Sequence, residues 1–246
     1  IPALEQILPA RMSTPEAGVV RVEAWETGGF TQQAMDSVAG MRVKIKAMPF
    51  LSELVAGTLS PETFAHYLMQ DHLYLREYGK VLKGLADKAI TPEAKENMSR
   101  AAENITTVEG ALHETFLTEL SVLSAEEREK VEASPTCQGY TDFQQTLLAS
   151  APYEVAFASI MPCYTIYCEV GRWIESNAPS VEALDAHPYA RWIRTYGGDG
   201  FEQATARAAG IFDNLAAAAS DETRAQMLRT FQQAARFEYM FWDSAY

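Results

Sequence analysis

Residues 60–88 have the sequence SPETFAHYLMQDHLYLREYGKVLKGLADK, and this stretch shows what kind of fold the chain adopts. Ser60 offers an oxygen for a helix N-cap, Pro61 suits the first helical position, and Glu62 places an acid in the first turn. We therefore predict one long helix that begins at Pro61 and continues to about Lys88.

Similar start signals recur along the rest of the chain. They predict a short helix after the capping box at 124–127, a helix between His187-Pro188 and Gly197-Gly198, and helices over about 92–122, 135–148, 152–176, 201–218 and 221–246. No alternating run of β-branched residues is bounded by hairpin turns, so strand signals are almost absent. We therefore predict an all-α fold of roughly eight helices.

The first 29 residues differ from the remainder. Residues 1–29 contain three prolines and three glycines and show weak hydrophobic periodicity. We interpret them as an N-terminal arm or extension that packs on the surface or on a partner subunit. No linker divides residues 30–246, so we predict a single helical domain there.

Charge and composition exclude several classes of protein. The 246 residues include 20 Lys and Arg against 33 Asp and Glu, a net charge of −13. This balance argues against nucleic-acid binding and against docking on anionic lipid. The sequence has no run of 18 apolar residues, so we expect no membrane span and no membrane partner.

Three cysteines without a CxxC motif favour reduced thiols in the cytoplasm over a disulfide framework.

The most informative stretch for chemistry is IMPCYTIYCEVG at 160–171. Pro162 lies inside a helical pattern and should kink the helix there. Cys163 and Tyr167 are four residues apart and therefore share a helix face. A thiol and a phenol on that face could line a pocket. The plainer alternative is a buried, structural Cys163 and a core ring at Tyr167.

A carboxylate lies on an aromatic helix face within the opening stretch. Asp71, Tyr74 and Tyr78 follow a spacing of three and four residues. A buried Asp71 needs a partner, either an arginine of the protein or the N–H groups of a ligand. The alternative is a surface aspartate beside a stripe of core tyrosines.

Near the C-terminus, Glu238 lies within one turn of Phe237, Phe241 and Trp242. Aromatic surroundings raise the pKa of a carboxyl group, so that it can act as an acid or base near neutral pH. The alternative is a glutamate on the rim of an aromatic cluster.

One pair of residues resembles half of a metal site. Glu109 and His113 are four residues apart on a predicted helix. A carboxylate-bridged metal site in a bundle needs further glutamates and Glu-x-x-His motifs, and none of the four histidines lies in such a motif. We therefore expect no metal and no cofactor, and we interpret His113 as the partner of a buried carboxylate or carbonyl.

Seven segments occur together in one order. They are MPF at 48–50, YLMQDHLYL at 67–75, E-x-x-x-H at 109–113, SPTCQGYT at 134–141, PCY-x-x-Y-x-E-x-G at 162–171, WI-x-TYGG at 192–198 and FEY-x-FW at 237–242. In sequence and order they resemble the TenA family, the thiaminase II enzymes, over about residues 30–246.

The resemblance implies a helical bundle like that of haem oxygenase, assembled as a homotetramer. It also implies hydrolysis of aminopyrimidines at the exocyclic methylene carbon. The product is hydroxymethylpyrimidine, used for thiamin salvage, and thiamin itself is cleaved more weakly. The implied partners are therefore a small-molecule aminopyrimidine or thiamin.

The resemblance also implies roles for individual residues. Cys163 is the nucleophile that attacks the pyrimidine ring, Glu238 moves protons to the ring and the leaving group, and Asp71 hydrogen-bonds the aminopyrimidine edge. Four further side chains shape the pocket by stacking and hydrogen bonding, namely Tyr74, Tyr140, Tyr167 and Tyr196.

The sequence departs from the family pattern at two positions. Met48 replaces a histidine that is common before Pro-Phe, and Thr165 occupies a position where a bulky aromatic is frequent. Both changes bear on pocket shape. Two other functions stay open at this point, a binding or regulatory protein without turnover and a metal- or haem-dependent oxidase on the same fold.

Overall fold

The computed structural model describes residues 25–26, 28–105, 124–177 and 181–246. All regular secondary structure in these ranges is helical, which confirms the predicted all-α fold. Glu109 and His113 lie outside the described residues, as does most of the segment 1–29.

The described ranges contain thirteen helices, more than the eight expected. They are α1 (Phe30–Ser37), α2 (Ala39–Ala47), α3 (Pro49–Ala56), α4 (Pro61–Lys88), α5 (Pro92–Asn104), α6 (Ala125–Glu129), α7 (Pro135–Ser150), α8 (Tyr153–Ala158), α9 (Met161–Asn177), α10 (Val181–Asp185), α11 (Ala190–Gly197), α12 (Asp199–Ala218) and α13 (Asp221–Asp243). One reason for the higher number is Pro49, which forces Met48 into an extended conformation and separates α2 from α3.

The helix starts predicted from capping residues are confirmed. At each one the N-cap side chain accepts a hydrogen bond from the backbone N–H three residues later, at Ser60, Thr91, Ser124, Ser134 and Ser220. The long helix α4 has the bounds that its sequence predicts. The prediction for α5 continued to about residue 122, and residues 106–123 lie outside the described ranges.

The prediction of one kinked helix over 152–176 is wrong, because the chain forms two helices there. α8 ends at Ala158 and α9 begins at Met161. The N–H groups of Ser159 and Ile160 donate to carbonyls three residues back, which closes a turn between the helices. Pro162 therefore lies in the first turn of α9, where an N–H group has no acceptor within its own helix.

Three long helices form the centre of the molecule. α4 packs on α5 and α7, while α9 packs on α11, α12 and α13. α13 also packs on α7 and α8. Three carboxylate side chains are buried in these helices, Asp71 on α4, Glu169 on α9 and Glu238 on α13.

Glu169 has a structural role. Its two carboxylate oxygens accept from Arg42 Nε at 2.7 Å and from Lys46 Nζ at 2.8 Å, both on α2. Although burial raises its pKa, the hydrogen bonds and positive charges of Arg42 and Lys46 outweigh burial and lower the pKa overall. This buried carboxylate ties α9 to α2.

The described ranges contain no candidate for a membrane span. No helix in those ranges combines the length and the apolar character needed to cross a bilayer.

Candidate active site

Helix α4 carries one acidic and several aromatic side chains into the interior. Asp71 is only 2% exposed, and Tyr74 and Tyr78 are buried beside it. The interpretation of Asp71 as a surface residue is therefore wrong. The spacing of three and four residues directs all three side chains to the same side of the helix.

Cys163 is the most accessible of the three cysteines in the chain. Its side chain is half-buried at the start of α9, whereas Cys137 and Cys168 are buried. The hydroxyl of Tyr78 donates to the carbonyl of Ile160 at 3.2 Å and also shares a hydrogen bond with Cys163. The thiol thus faces α4, where a phenol contacts it directly.

The phenols around Cys163 hold their protons firmly. Burial raises the pKa of Tyr74, Tyr78 and Tyr140 well above the ordinary value, and the charge of Cys163 adds to the rise at each. Phenols that stay neutral can donate hydrogen bonds to an anion without losing the proton.

Glu238 is buried at the same place, with 2% of its surface exposed. The hydroxyl of Tyr140 donates to its Oε1 at 2.7 Å. Burial raises the pKa of Glu238 to about 8, and the charge of Asp71 contributes to the rise, while the Tyr140 hydrogen bond opposes it. The carboxyl group therefore exchanges its proton near neutral pH.

Aromatic rings stack in a row between α4, α7 and α13. Tyr140 lies between Tyr74 and Phe237, with ring centroids 4.9 and 5.1 Å away. Tyr74 also stacks on Tyr78 at 5.4 Å. This row connects Glu238 to the surroundings of Cys163.

A second aromatic group surrounds Tyr167. Its ring is 5.1 Å from Tyr196 and 4.6 Å from Trp242, measured between centroids. The hydroxyl of Tyr67 donates to the hydroxyl of Tyr167 at 3.3 Å. These rings form a buried wall that joins α4, α9, α11 and α13.

Asp71 connects the two aromatic groups electrostatically. Its charge helps to raise the pKa of Tyr67, Tyr167 and Glu238, after burial as the largest cause at each. The structure thus places in one region all of the site residues proposed from the sequence, which are Asp71, Tyr74, Tyr140, Cys163, Tyr167, Tyr196 and Glu238.

Sequence reasoning did not assign two residues of this region to the site. Tyr78 contacts Cys163, and its position four residues after Tyr74 was an available signal. Gln144 donates to the hydroxyl of Tyr74 at 3.0 Å, and it lies one helical turn after Tyr140. The sequence around Gln144 contains no pattern that marks its amide as part of a site.

The two departures from the family pattern are both buried. Met48 is the extended residue before α3, and Thr165 lies inside α9. The hydroxyl of Thr165 donates to the carbonyl of Met161 at 3.1 Å, so its hydrogen-bond acceptor lies in the same helix.

The chemical groups available in this region are a thiol, two carboxyl groups and several neutral phenols. Across the described ranges, histidine, cysteine, aspartate and glutamate side chains nowhere form a group of three or more that could hold a metal ion. A carboxylate beside aromatic walls fits a flat ring that carries adjacent hydrogen-bond donors. A thiol beside an acid of raised pKa fits covalent catalysis with proton transfer.

Comparison with known proteins identifies the same family that the sequence motifs resemble. The TENA/THI-4/PQQC family model matches residues 42–246. The chain is 35% identical over 199 residues to the aminopyrimidine aminohydrolase of Bacillus subtilis, an alignment that covers 80% of this chain and 81% of that protein.

Solved structures share the fold. The TenA homologue from P. horikoshii OT3 superposes with a TM-score of 0.77 at 24% identity, covering 88% of this chain and 98% of that one. A domain of unknown function from Shewanella denitrificans, described as having a heme oxygenase-like fold, superposes with a TM-score of 0.64 at 12% identity, covering 87% and 90%. The expected resemblance to the haem-oxygenase bundle is confirmed.

Proposed function

Because this chain belongs to the TENA/THI-4/PQQC family, we propose that it is an aminopyrimidine aminohydrolase that serves thiamin salvage. The reaction adds water to the exocyclic methylene carbon of an aminomethylpyrimidine. The bond from this carbon to nitrogen breaks, a bond to hydroxyl forms, and the products are hydroxymethylpyrimidine and ammonia. Thiamin is the weaker substrate, with its thiazole as the leaving group.

One observation carries this proposal. A buried glutamate, Glu238, has a pKa of about 8 in the same cluster as the half-buried thiol of Cys163. After burial, the charges of Cys163 and Glu238 both contribute to the raised pKa of Tyr74 and of Tyr140, so the two groups have these phenols as common neighbours. A thiol and a carboxyl group of raised pKa in one cluster suit a reaction that needs both a nucleophile and a proton carrier.

Cys163 acts as the nucleophile. Its thiolate adds to a carbon of the pyrimidine ring, and the electrons displaced into the ring then expel the amine from the methylene carbon. Water adds to the exposed methylene, and loss of the thiolate restores the aromatic ring. The neutral phenol of Tyr78, which shares a hydrogen bond with Cys163, stabilises the thiolate.

Glu238 moves the protons in this scheme. In its neutral form it protonates the departing nitrogen, because an amine leaves poorly as an anion. The resulting carboxylate then takes a proton from the attacking water. The hydrogen bond from Tyr140 stabilises the carboxylate during this step.

Asp71 and the tyrosines bind the substrate. The Asp71 carboxylate accepts hydrogen bonds from the amino edge of the pyrimidine, and its burial strengthens that interaction. Tyr74, Tyr140, Tyr167 and Tyr196 provide the stacking walls and further hydrogen bonds, and all four are buried.

The substitution Cys163→Ala tests the proposal directly. Turnover of aminomethylpyrimidine, followed by mass spectrometry, should be abolished, because the other two cysteines of the chain are buried. Affinity for hydroxymethylpyrimidine, measured by calorimetry, should stay within a few-fold, since Asp71 and the tyrosines remain.

Cys137→Ser is the matched control. Cys137 is buried, and burial raises the pKa of its thiol to about 12, so this thiol does not act as a nucleophile. The Cys137→Ser protein should keep its turnover. Near-native turnover by Cys163→Ala would overturn the mechanism, and absence of turnover in the unmodified protein would favour a binding or regulatory role.

We also propose that residues 30–246 form one catalytic domain, extended by residues 1–29 as an arm, and that the protein is a cytoplasmic homotetramer. A nucleophilic thiol must stay reduced, which fits a reducing compartment. Val43 on α2 and Met240 on α13 are exposed apolar side chains on helices that pack together, and we propose that they lie in a contact between subunits.

A further inference from the structure

Gln144 is a buried amide that none of the proposed chemistry uses. It lies on α7 and is 0% exposed. Its Nε2 donates two hydrogen bonds, one to the hydroxyl of Tyr74 at 3.0 Å and one to the backbone carbonyl of Ser159 at 3.2 Å. A carbonyl oxygen can only accept a hydrogen bond, so the NH₂ group of Gln144 must face Ser159, and the same group supplies the hydrogen for Tyr74.

Three hydrogen bonds connect this amide to Glu238 through two phenols. Gln144 donates to the hydroxyl of Tyr74, Tyr74 and Tyr140 share a hydrogen bond between their side chains, and Tyr140 donates to Glu238 Oε1 at 2.7 Å. The stacked rings of Tyr74 and Tyr140 have centroids 4.9 Å apart. All four residues are buried, and hydrogen bonds in a protein interior are stronger than in water and polarise one another.

The amide decides in which direction this chain of hydrogen bonds runs. A phenol has a single hydrogen, so a row of phenols can donate in either direction but only in one at a time. Since Tyr140 gives its hydrogen to Glu238, Tyr74 must give its own to Tyr140. At the far end, the NH₂ group of Gln144 accepts no hydrogen bond. It therefore excludes the reverse direction, in which Glu238 would donate to Tyr140 and Tyr74 would donate to the amide.

We propose that Gln144 is a positioning residue that fixes the direction of the chain from Tyr74 through Tyr140 to Glu238, so that both phenols donate toward the carboxyl group. Oε1 of Glu238 then accepts in both protonation states, and the proton that the group exchanges is held on Oε2. The carboxylate that remains after proton transfer is stabilised by the whole chain.

This inference rests on the proposed function in one respect, the use of Glu238 as the proton carrier. The ionisation of Glu238 can be measured without substrate, so the two proposals fail separately. A protein without turnover in which the ionisation responds as described below would refute only the proposed function.

Other ionisable groups interact with Glu238 and must stay constant in the test. They are Asp71, Tyr67 and Tyr74 on α4, Tyr140 on α7 and Tyr167 on α9. Among them, the charge of Asp71 raises the pKa of Glu238. Gln144 is uncharged, so an uncharged replacement changes the hydrogen bonding and leaves these charges in place.

Gln144→Met is the primary test, because methionine keeps an unbranched side chain of similar length and removes the donor. The protonation of Glu238 is followed against pH by infrared spectroscopy, through the carboxyl C=O band that Glu238→Gln removes. Tyr140 keeps its direct bond to the carboxyl group, so only the support from the amide is lost. The titration midpoint should rise by about half a pH unit. An unchanged or lowered midpoint would overturn the proposal.

Gln145→Met is the matched control. Gln145 is the next residue on α7, and its Nε2 donates to Glu77 Oε2 at 3.0 Å instead of to the phenols. This variant should leave both the midpoint of Glu238 and turnover unchanged.

A double-mutant cycle shows whether the amide acts through the two phenols. Tyr140→Phe removes the bond next to the carboxyl group and should raise the midpoint by about 1–2 pH units. Gln144→Met should add nothing in that background, because the chain is cut between the amide and Glu238. A further shift there would mean that Gln144 acts by another route and would refute the proposal.

Tyr74→Phe cuts the same chain in the middle and leaves the amide in place. It should also raise the midpoint of Glu238. An unchanged midpoint in this variant refutes the proposal even if Gln144→Met does not fold.

Discussion

At the scale of single residues, the same side chains that form the core also set the chemistry of Glu238. The aromatic neighbours that make the C-terminal helix amphipathic also remove water from the carboxyl group, and burial is the largest cause of its raised pKa. A carboxyl group of ordinary pKa would be ionised at neutral pH and would have no proton to give to a departing amine.

Glu238→Gln keeps the shape of the side chain and removes its ability to give and take a proton. We expect kcat for aminomethylpyrimidine to fall by about 10²–10⁴-fold, the usual contribution of positioned acid–base catalysis. Affinity for hydroxymethylpyrimidine should stay within a few-fold. Steady-state kinetics and calorimetry measure the two effects.

Thiamin provides the internal comparison for this variant. Its thiazolium leaves as a neutral thiazole and needs no proton, whereas the amine does. The loss of kcat should therefore be smaller with thiamin. Equal losses on both substrates would show that Glu238 acts only on the ring or on water.

The sequence revealed the carboxylates of the site better than it revealed the amide. Asp71 and Glu238 could be picked out because charged groups among aromatic residues conflict with local composition. Gln144 is polar and ordinary in its own helix, and its partner Tyr74 is 70 residues away in the chain. Pairing across that distance depends on how α4 and α7 pack, which local sequence does not contain.

At the scale of secondary-structure elements, the crossing of α9 and α11 is unusually close. A Cβ added at Gly171 would lie 2.5 Å from the backbone nitrogen of Gly197 and 2.5 Å from the backbone carbon of Tyr196. No side chain fits between the two backbones. Tyr167 lies one turn before this contact on α9, so the crossing also sets the distance between Tyr167 and Tyr196.

Gly171→Ala should force the two helices apart. We expect a loss of about 1–3 kcal/mol in the free energy of unfolding, as for other overpacked sites. KM for aminomethylpyrimidine should rise as well, because Tyr196 moves with α11. Chemical denaturation and steady-state kinetics measure these two quantities.

Gly210→Ala is the control for that experiment. Gly210 is an exposed residue inside α12, and a Cβ there meets nothing within 4 Å. Alanine favours a helix over glycine by about 1 kcal/mol, so this variant should be at least as stable as the unmodified protein. If Gly171→Ala were as stable as Gly210→Ala, the close crossing would impose no constraint.

Helix starts were predictable from the sequence, and helix breaks were less so. An N-cap such as Ser60 acts within three residues, so its signal is local and its position is confirmed. The effect of Pro162 depends on where the helix begins, because proline kinks a helix interior and is accepted in a first turn. The turn at Ser159 and Ile160 decides between these outcomes, and its own sequence carries no glycine to announce it.

At the scale of the whole molecule, buried carboxyl groups make folding depend on pH. The pKa of Glu238 rises from its ordinary 4.5 to about 8 on folding, so the folded protein binds more protons than the unfolded chain in this window. Stability therefore falls as pH rises through the window, by at most about 1.4 kcal/mol per pH unit. Glu169 has the opposite effect on the pH dependence of stability. Because folding lowers the pKa of its carboxyl group, its contribution to stability is lost only at acid pH, where the group becomes protonated.

We expect thermal unfolding to show this dependence. The melting temperature of the unmodified protein should decline from mildly acidic to mildly alkaline pH relative to that of Glu238→Gln, since glutamine mimics the neutral carboxyl group at every pH. Differential scanning calorimetry of both proteins across the range gives the difference curve. Parallel curves would mean that Glu238 does not titrate with a raised pKa in the folded protein.

The contact between Tyr167 and Trp242 has an optical consequence. The chain has four tryptophans, and two of them, Trp192 and Trp242, have rings next to Tyr167, at 6.5 and 4.6 Å between centroids. A flat heteroaromatic molecule arriving at that wall changes the surroundings of half of the indole fluorophores at once. Intrinsic tryptophan fluorescence should therefore report the binding of such a molecule without an added dye.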